Sequence, residues 1–226
     1  MPRTYAPDNS PVEVFVEGAV LRALQPVEPS TGIQKEIEVT LDPTCSKVKV
    51  VHRLKNTLAW DIEFAPWALT MMAQNGHGIT GFPPRGTHPE MLEPTNPLIM
   101  WAFTDLRDER YTFLEKYFVL RQDPANSKPT KLGHFNEKTW GAYLLGSDLF
   151  IKQVSAESGK SYPDMGCSYE TFTRHDMLEI ETLGPITKVA PGATLEHIEH
   201  WSLHAGITIP EWTDAALDAV LLPLLG

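Results

Sequence analysis

Residues 162–201 read YPDMGCSYETFTRHDMLEIETLGPITKVAPGATLEHIEHW, and near the middle Leu178 and Ile180 alternate with Glu179 and Glu181. Because side chains alternate across a strand, the two apolar residues would point one way and the two carboxylates the other. Carboxylates two residues apart on a strand lie about 7 Å from each other, near enough to shift each other's pKa where water is excluded. The pattern predicts either a site for acid–base chemistry or the solvated face of an antiparallel sheet.

Length and composition indicate one globular domain over residues 1–226. The chain is 42% hydrophobic and 21% charged, with a formal net charge of −10. An acidic chain without clustered Lys and Arg is a poor partner for nucleic acid and suits a neutral or cationic small molecule better. No apolar run is long enough for a membrane span or a signal sequence, which predicts a cytoplasmic protein. Cys45 and Cys167 are predicted to be free thiols packed as small hydrophobes.

Short runs rich in β-branched residues recur along the chain, with Pro, Gly, Asn and Asp between them. These runs are predicted strands at 12–20, 33–41, 47–54, 60–64, 98–104, 117–121, 141–145, 149–154, 170–173, 177–182 and 194–203. Residues 76–97 lack an apolar period and are predicted to form a long loop. One C-terminal helix begins near Thr213 and is expected to end at Pro223. The fold class is therefore all-β, a large antiparallel sandwich with one short helix.

Several motifs together resemble a bacterial family with the galactose-mutarotase-like (aldose 1-epimerase-like) β-supersandwich, and the resemblance covers nearly the whole chain. The motifs are TGIQKEIEV (31–39), VVHRLKNTLAWDIEFAPWALTMM (50–72), LRQDPANSKPTKLG (120–133), LFIKQV (149–154), YPDMGCSYETFT (162–173), MLEIETLGPITKVAPG (177–192) and EHIEHWSL (196–203). The resemblance implies a two-layer antiparallel sandwich with a sugar-sized groove across its concave sheet.

Aldose 1-epimerases of that superfamily open a pyranose ring with a Glu base and a His acid. Their Glu-Thr strand motif is similar to Glu181-Thr182 here, so the resemblance implies that Glu181 is the base. Trp67 stands about where the family's His would be, and the acid therefore does not carry over. Glu179 or His52 is the predicted proton-handling counterpart of Glu181.

The resemblance also concerns the start of the chain. Family members carry N-terminal strands before a segment similar to RTYAPDN, which here occupies residues 3–9. It implies a sandwich without those strands, or one that another chain completes, and hence a homo-oligomer formed through an exposed sheet edge.

Further candidates line the predicted groove. Arg121 and Lys152 carry charges at strand positions, where a charge is costly unless it is paired. The partner is either a carboxylate such as Glu170 or a substrate oxygen. Trp67 is a candidate stacking surface for a sugar ring, and Asp164 follows a turn that would place it at the rim.

No metal site or cofactor is predicted. His197 would face away from His200 and His204 on a strand, so the three side chains do not converge on one ion. The sequence also lacks a glycine-rich phosphate loop.

These observations favour a carbohydrate-active protein that binds a mono- or oligosaccharide. The reaction is anomeric epimerisation, or cleavage of a glycosidic bond by hydrolysis or elimination. A non-catalytic sugar-binding module and a structural or assembly protein are the alternatives.

Overall fold

A computed structural model of the chain describes residues 9–226. Residues 1–8, which hold most of the N-terminal segment compared above, lie outside the described residues. In chain order the strands are β1 (Glu13–Glu17), β2 (Val20–Leu24), β3 (Ile33–Leu41), β4 (Lys47–Asn56), β5 (Ile62–Phe64), β6 (Trp67–Met72), β7 (His77–Gly81), β8 (Leu98–Met100), β9 (Tyr111–Phe113), β10 (Tyr117–Arg121), β11 (Thr130–His134), β12 (Lys138–Leu145), β13 (Asp148–Ser155), β14 (Tyr169–Arg174), β15 (Met177–Leu183), β16 (Thr187–Val189) and β17 (Thr194–His204), and the helix is α1 (Asp214–Leu225). The predicted all-β class with one short C-terminal helix is confirmed.

The chain divides into two compact units. The first comprises residues up to Pro66 together with Ile186–Trp201, and the second comprises Trp67–Pro185 together with Ser202–Gly226. In the first unit the strand order is β1-β2-β3-β4-β17, and β5 pairs with β16. A single domain over residues 1–226 stays a prediction.

The first strand of the first unit, β1, forms a hairpin with β2, and the two do not make one long strand as predicted. The run predicted as one strand over 12–20 turns at Gly18, whose φ of +57° lies in the left-handed region that favours glycine. β1 and β2 then pair antiparallel, with Glu17 opposite Val20. Every residue of β1 is exposed, and oligomerisation through this edge stays a prediction.

The second unit contains two antiparallel layers and positions the site described below. One layer has the strand order β13-β12-β7-β10-β9 and the other β6-β15-β14-β11-β8. Inward-facing side chains of both layers form one core, made of Phe118, Leu120, Leu132, Tyr143, Tyr169, Leu178 and Ile180. Close approach of the layers requires Gly141, because a Cβ there would lie 2.5 Å from the Tyr169 ring and 2.6 Å from Ile180.

Strand β7 lies where the sequence predicts a long loop, and the loop prediction for 76–97 is wrong in this part. Four of its five residues, from Gly78 to Gly81, are buried, yet two of the five are glycine, so no apolar period is visible. The glycines serve packing, because a Cβ at Gly81 would lie 2.8 Å from the Trp140 ring. The remaining residues to Pro97 carry no helix or strand.

Helix α1 packs on the layer β13-β12-β7-β10-β9, on the face opposite to the core that this layer shares with the second layer. Thr213 caps it, its Oγ1 accepting a hydrogen bond from the amide of Ala216. Leu217 and Leu221 are fully buried against the core of that face. The helix continues to Leu225 rather than ending at Pro223, since a proline in the last turn removes only one backbone hydrogen bond.

Replacing Leu221 with Ala is expected to lower the free energy of unfolding by about 2–3 kcal/mol, because the lost side chain leaves a cavity in this core. Leu222→Ala is the matched control, since Leu222 is 56% exposed whereas Leu221 is fully buried. Urea unfolding of both variants measures the difference. Equal stability of the two variants would show that α1 does not pack as described.

The described residues contain no helix that is both long enough and apolar enough to cross a membrane.

Candidate functional site

The outer face of the layer β6-β15-β14-β11-β8, which is opposite to its core, carries a cluster of charged side chains. Alternation along β15 places Leu178 and Ile180 in the core, so that Glu179 and Glu181 lie on the outer face. The same alternation places Glu170 of β14 there. The acidic face predicted from the sequence is therefore present, and most of it is buried.

Strand register brings two of the carboxylates together. Glu170 lies directly opposite Glu181 in the antiparallel pair β14 and β15. Directly opposed residues have Cβ atoms about 5 Å apart, where like charges destabilise a sheet. A cation on the neighbouring strand β11 offsets this repulsion, since Lys131 Nζ lies 2.7 Å from Glu170 Oε2 and 2.8 Å from Glu181 Oε2.

Two tryptophans enclose the ammonium of Lys131. Its Nζ lies 5.1 Å from the ring centroid of Trp67 and 4.8 Å from that of Trp101, both within cation–π range. The Trp67 indole Nε1 also donates a 2.6 Å hydrogen bond to Glu181 Oε2. Gly133 leaves room for the second ring, because a Cβ there would lie 3.2 Å from Trp101. We call Lys131, Glu170, Glu179 and Glu181 with these two tryptophans the acidic cluster.

The hydrogen bonding of the acidic cluster is incomplete. Lys131 makes a directed hydrogen bond to Glu181, whereas its contact with Glu170 is a close ion pair. Within residues 9–226, Glu170 Oε1 and Glu181 Oε1 are buried and have no hydrogen-bond partner. Leaving a buried polar atom unpaired costs about 1–3 kcal/mol. A hydrogen bond from a ligand to one of these two oxygens would remove that cost and so would stabilise the complex most.

Burial raises the pKa of Glu170 above its ordinary value. Lys131 opposes this shift, while the negative charge of Glu181 and a side-chain hydrogen bond with Asp164 add to it. For Lys131, burial alone would lower the pKa, but Glu181 and Glu170 outweigh burial and raise it. Both shifts follow if Lys131 stays charged against one carboxylate and Glu170 holds a proton, because one ammonium cannot neutralise two buried carboxylates.

Glu179 is the half-buried member of the acidic cluster. Burial, with a further contribution from the charge of Glu181, raises the pKa of Glu179 to about 7. Near neutral pH this carboxyl therefore exists in both protonation states, which suits a group that exchanges protons with a ligand.

The raised pKa of Glu179 predicts how stability depends on pH. Since the folded-state pKa lies above the unfolded value of about 4.3, the folded chain binds more protons, and stability falls as the pH rises towards about 7. Glu179→Gln is expected to flatten this slope. Urea unfolding at about pH 5 and about pH 8 measures the change in the free energy of unfolding between the two pH values. Glu157→Gln, which changes an exposed carboxylate, is the control. A slope unchanged by Glu179→Gln would contradict the shift.

Two further predicted site residues lie near the acidic cluster. Trp67 contacts Glu181 and Lys131 directly. Asp164 is exposed in the turn before β14, with a φ of +49°, and its backbone oxygen accepts a hydrogen bond from the Cys167 thiol.

Within the second unit, the structure does not bring the predicted site residues Arg121 and Lys152 to the acidic cluster. Arg121 pairs with Asp123 at 3.1 Å. Lys152 is fully buried on β13, where its Nζ donates to the carbonyl of Ala68 at 2.9 Å and to Thr70 Oγ1 at 3.0 Å.

His52 belongs to the first unit. Its Nε2 lies 3.1 Å from Glu199 Oε2, and this buried carboxylate also accepts a hydrogen bond from the Trp201 indole at 3.0 Å. Arg121 thus pairs with a carboxylate, but with Asp123 rather than with Glu170 or Glu181, and the cation that pairs with those two residues is Lys131.

Lys131 and Trp101 were not among the site residues predicted from the sequence. The available signal for Lys131 was its place in the motif LRQDPANSKPTKLG, one of those that carry the family resemblance. No histidine contacts the carboxylates or the ammonium of the acidic cluster among the described residues. His134 lies on the core face of β11, where burial lowers its pKa to about 4 and its Nε2 lies 3.1 Å from Thr80 Oγ1.

Within the described part of the chain, no group of three or more His, Cys, Asp and Glu side chains is arranged to hold a metal ion. Cys45 and Cys167 are both free thiols, as predicted, but Cys45 is exposed and the prediction that it packs as a small hydrophobe is wrong. Cys167 is buried, and its burial raises the pKa of the thiol.

Comparison with solved structures identifies the fold. A galactose mutarotase-like protein from Lactobacillus casei superposes with a TM-score of 0.53 at 10% identity, over 85% of this chain and 73% of its own length. A galactose mutarotase related enzyme from Lactobacillus acidophilus gives a TM-score of 0.51 at 8% identity, over 88% of this chain and 73% of its own.

A candidate aldose 1-epimerase from Klebsiella pneumoniae gives a TM-score of 0.55 at 12% identity, over 94% of this chain. The chain spans only 56% of the length of that protein. No protein-family model and no curated protein matches the sequence. The chain has the galactose-mutarotase-like β-sandwich fold, and the predicted resemblance is confirmed at the level of the fold.

Proposed function

We propose that this protein is carbohydrate-active and binds a saccharide at the acidic cluster, where it takes a proton from the anomeric hydroxyl and gives one to the ring oxygen. The observation that carries the proposal is the buried pair Glu170 and Glu181, which shares one ammonium and keeps an unpartnered oxygen on each carboxyl. Sugar hydroxyls are the hydrogen-bond donors that such oxygens lack. The mutarotase-like fold supports the same substrate class.

The two carboxyls suit different roles in anomeric epimerisation. Glu181 Oε1 would take the proton of the anomeric hydroxyl as general base. Glu170, with its pKa raised by burial, would hold a proton and give it to the ring oxygen as the C1–O bond breaks. Rotation about the C1–C2 bond and reversal of both transfers would close the ring as the other anomer. Protons and electrons then balance without a cofactor.

The surrounding side chains support this assignment. Lys131 and the Trp67 indole both donate to Glu181 Oε2, which fixes the carboxylate and leaves Oε1 for the substrate. The half-buried rings of Trp67 and Trp101 offer apolar faces on which a pyranose can stack. A sugar would reach the buried oxygens by displacing one of these rings.

A calorimetric screen against mono- and oligosaccharides, paired with NMR measurement of anomeric exchange on every sugar that binds, tests the proposal. Binding together with accelerated exchange is the expected result. If a bound sugar is instead a glycoside that loses its aglycone, the two carboxyls act in bond cleavage. Absence of binding by every sugar would contradict the proposal.

A non-catalytic sugar-binding module is the second candidate. It is favoured by the complete burial of Glu181 and by its hydrogen bond to Trp67, both of which suit a structural carboxylate. Binding without exchange or cleavage in the same screen would support the module and exclude the proposed proton transfer.

A further inference from the structure

The acidic cluster has three carboxyl groups and one ammonium, so that even with Glu170 protonated the ionised form of Glu179 leaves one negative charge in excess. Glu170, Glu179 and Glu181 share the outer face, and Lys131 is the cation that pairs with two of them. Glu179 forms no ion pair with any described residue. The nearest arginine on β14, Arg174, is held by Asp176 through two hydrogen bonds of 2.7 and 2.9 Å.

The strand register places Glu179 in the same transverse row as Lys131, with Phe172 of β14 between them. Both contacts of the ammonium use the Oε2 atoms of Glu170 and Glu181, so their Oε1 atoms have no cation against them. Glu179 precedes Glu181 by two residues on the same face, and the two carboxylates therefore lie about 7 Å apart. A cation between them would be attracted by both.

We propose that the saccharide is an amino sugar, whose ammonium lies between Glu179 and Oε1 of Glu181. This inference rests on the proposed function and deepens it by naming the class of substrate. An ammonium supplies three donors to carboxylate oxygens, and charge-assisted hydrogen bonds are about twice as strong as neutral ones. A neutral sugar would pair the oxygens but leave the excess charge, and an acidic sugar would be repelled.

The aromatic surroundings favour the same ligand. Trp67 and Trp101 already accommodate one ammonium, that of Lys131, near their rings. The quadrupole of an indole attracts a cation over its face, and the attraction is larger where water is excluded. A second ammonium beside Glu179 would not approach Lys131 directly, since strand β14 with Phe172 lies between Lys131 and Glu179, and two strand spacings amount to about 10 Å.

Titration calorimetry on the full chain at about pH 7, where the sugar amine is largely charged and Glu179 is partly ionised, tests the inference. The probes are glucosamine and galactosamine, each compared with its parent sugar and its N-acetylated derivative. The amino sugar is expected to bind at least about tenfold more tightly than either neutral form. Glu179→Gln is expected to reduce this ratio severalfold, while the exposed Glu157→Gln leaves it unchanged.

Equal or tighter binding of the neutral sugars would overturn the inference and leave the proposed function in place. A ratio that is unaffected by Glu179→Gln would overturn the proposed position of the amine. Failure of all these sugars to bind, together with failure of the wider saccharide screen, would remove the proposed function as well.

Discussion

Replacing Lys131 with Met is expected to lower the free energy of unfolding by about 3–5 kcal/mol at neutral pH. The substitution removes the one ammonium that contacts both Glu170 and Glu181, and it leaves two opposed carboxyls buried without a cation. The Met side chain has nearly the same length and fills the space between the two tryptophans, so a cavity adds little. Urea unfolding monitored by tryptophan fluorescence measures the change.

The pH dependence of this variant distinguishes lost charge from lost packing. Lys131 opposes the raised pKa of Glu170, so without the ammonium the folded-state pKa of Glu170 lies further above the unfolded value and the folded chain binds more protons. The destabilisation is therefore expected to be small at acidic pH and to grow as the pH rises. Lys138→Met is the control, since Lys138 is exposed at the start of β12 and its loss is expected to cost little.

A compensating variant completes the test. Glu170→Gln and Glu181→Gln, added to Lys131→Met, replace both buried carboxyls with neutral amides and are expected to recover part of the lost stability. If Lys131→Met alone were as stable as the wild type at neutral pH, the ion cluster would have no structural role.

Replacing Glu181 with Gln is expected to reduce turnover of the sugar at least about a hundredfold, because general acid–base catalysis contributes roughly that much or more. The amide keeps an oxygen for Lys131 and Trp67 but accepts no proton. Binding of the sugar is expected to persist. Anomeric exchange rates measured by NMR at saturating sugar separate the two effects.

Two further variants make the result specific. Glu170→Gln is expected to slow the reaction as well, since it removes the proton assigned to the ring oxygen. Glu157→Gln changes an exposed carboxylate elsewhere in the second unit and is expected to have no effect. Unchanged turnover in Glu181→Gln would remove this residue from the mechanism.

Local patterns predicted much of the fold. The alternation around Glu179 and Glu181 correctly predicted strand β15, because a side-chain period of two depends only on neighbouring residues. β7 was missed since its glycines serve contacts with another strand, such as the one between Gly81 and Trp140. Burial of this kind leaves no hydrophobic period in the sequence.

The candidate site could be predicted only in part. The two acidic residues of β15 are visible locally, but the opposition of Glu170 and Glu181 depends on the register between strands, which a single sequence does not specify. Lys131 is far from both carboxylates along the chain and meets them only because β11 pairs with β14. Lys152 was the more conspicuous strand lysine, yet it donates to a backbone carbonyl and a threonine in the interior.

A crystal structure of the protein with a bound saccharide tests the central claim most directly. We expect a sugar ring stacked on Trp67 or Trp101, with one of its donors within hydrogen-bond distance of Glu181 Oε1 and another near Glu170 Oε1. A sugar bound elsewhere on the molecule, with both tryptophans still closed over an undisturbed Lys131, would contradict it.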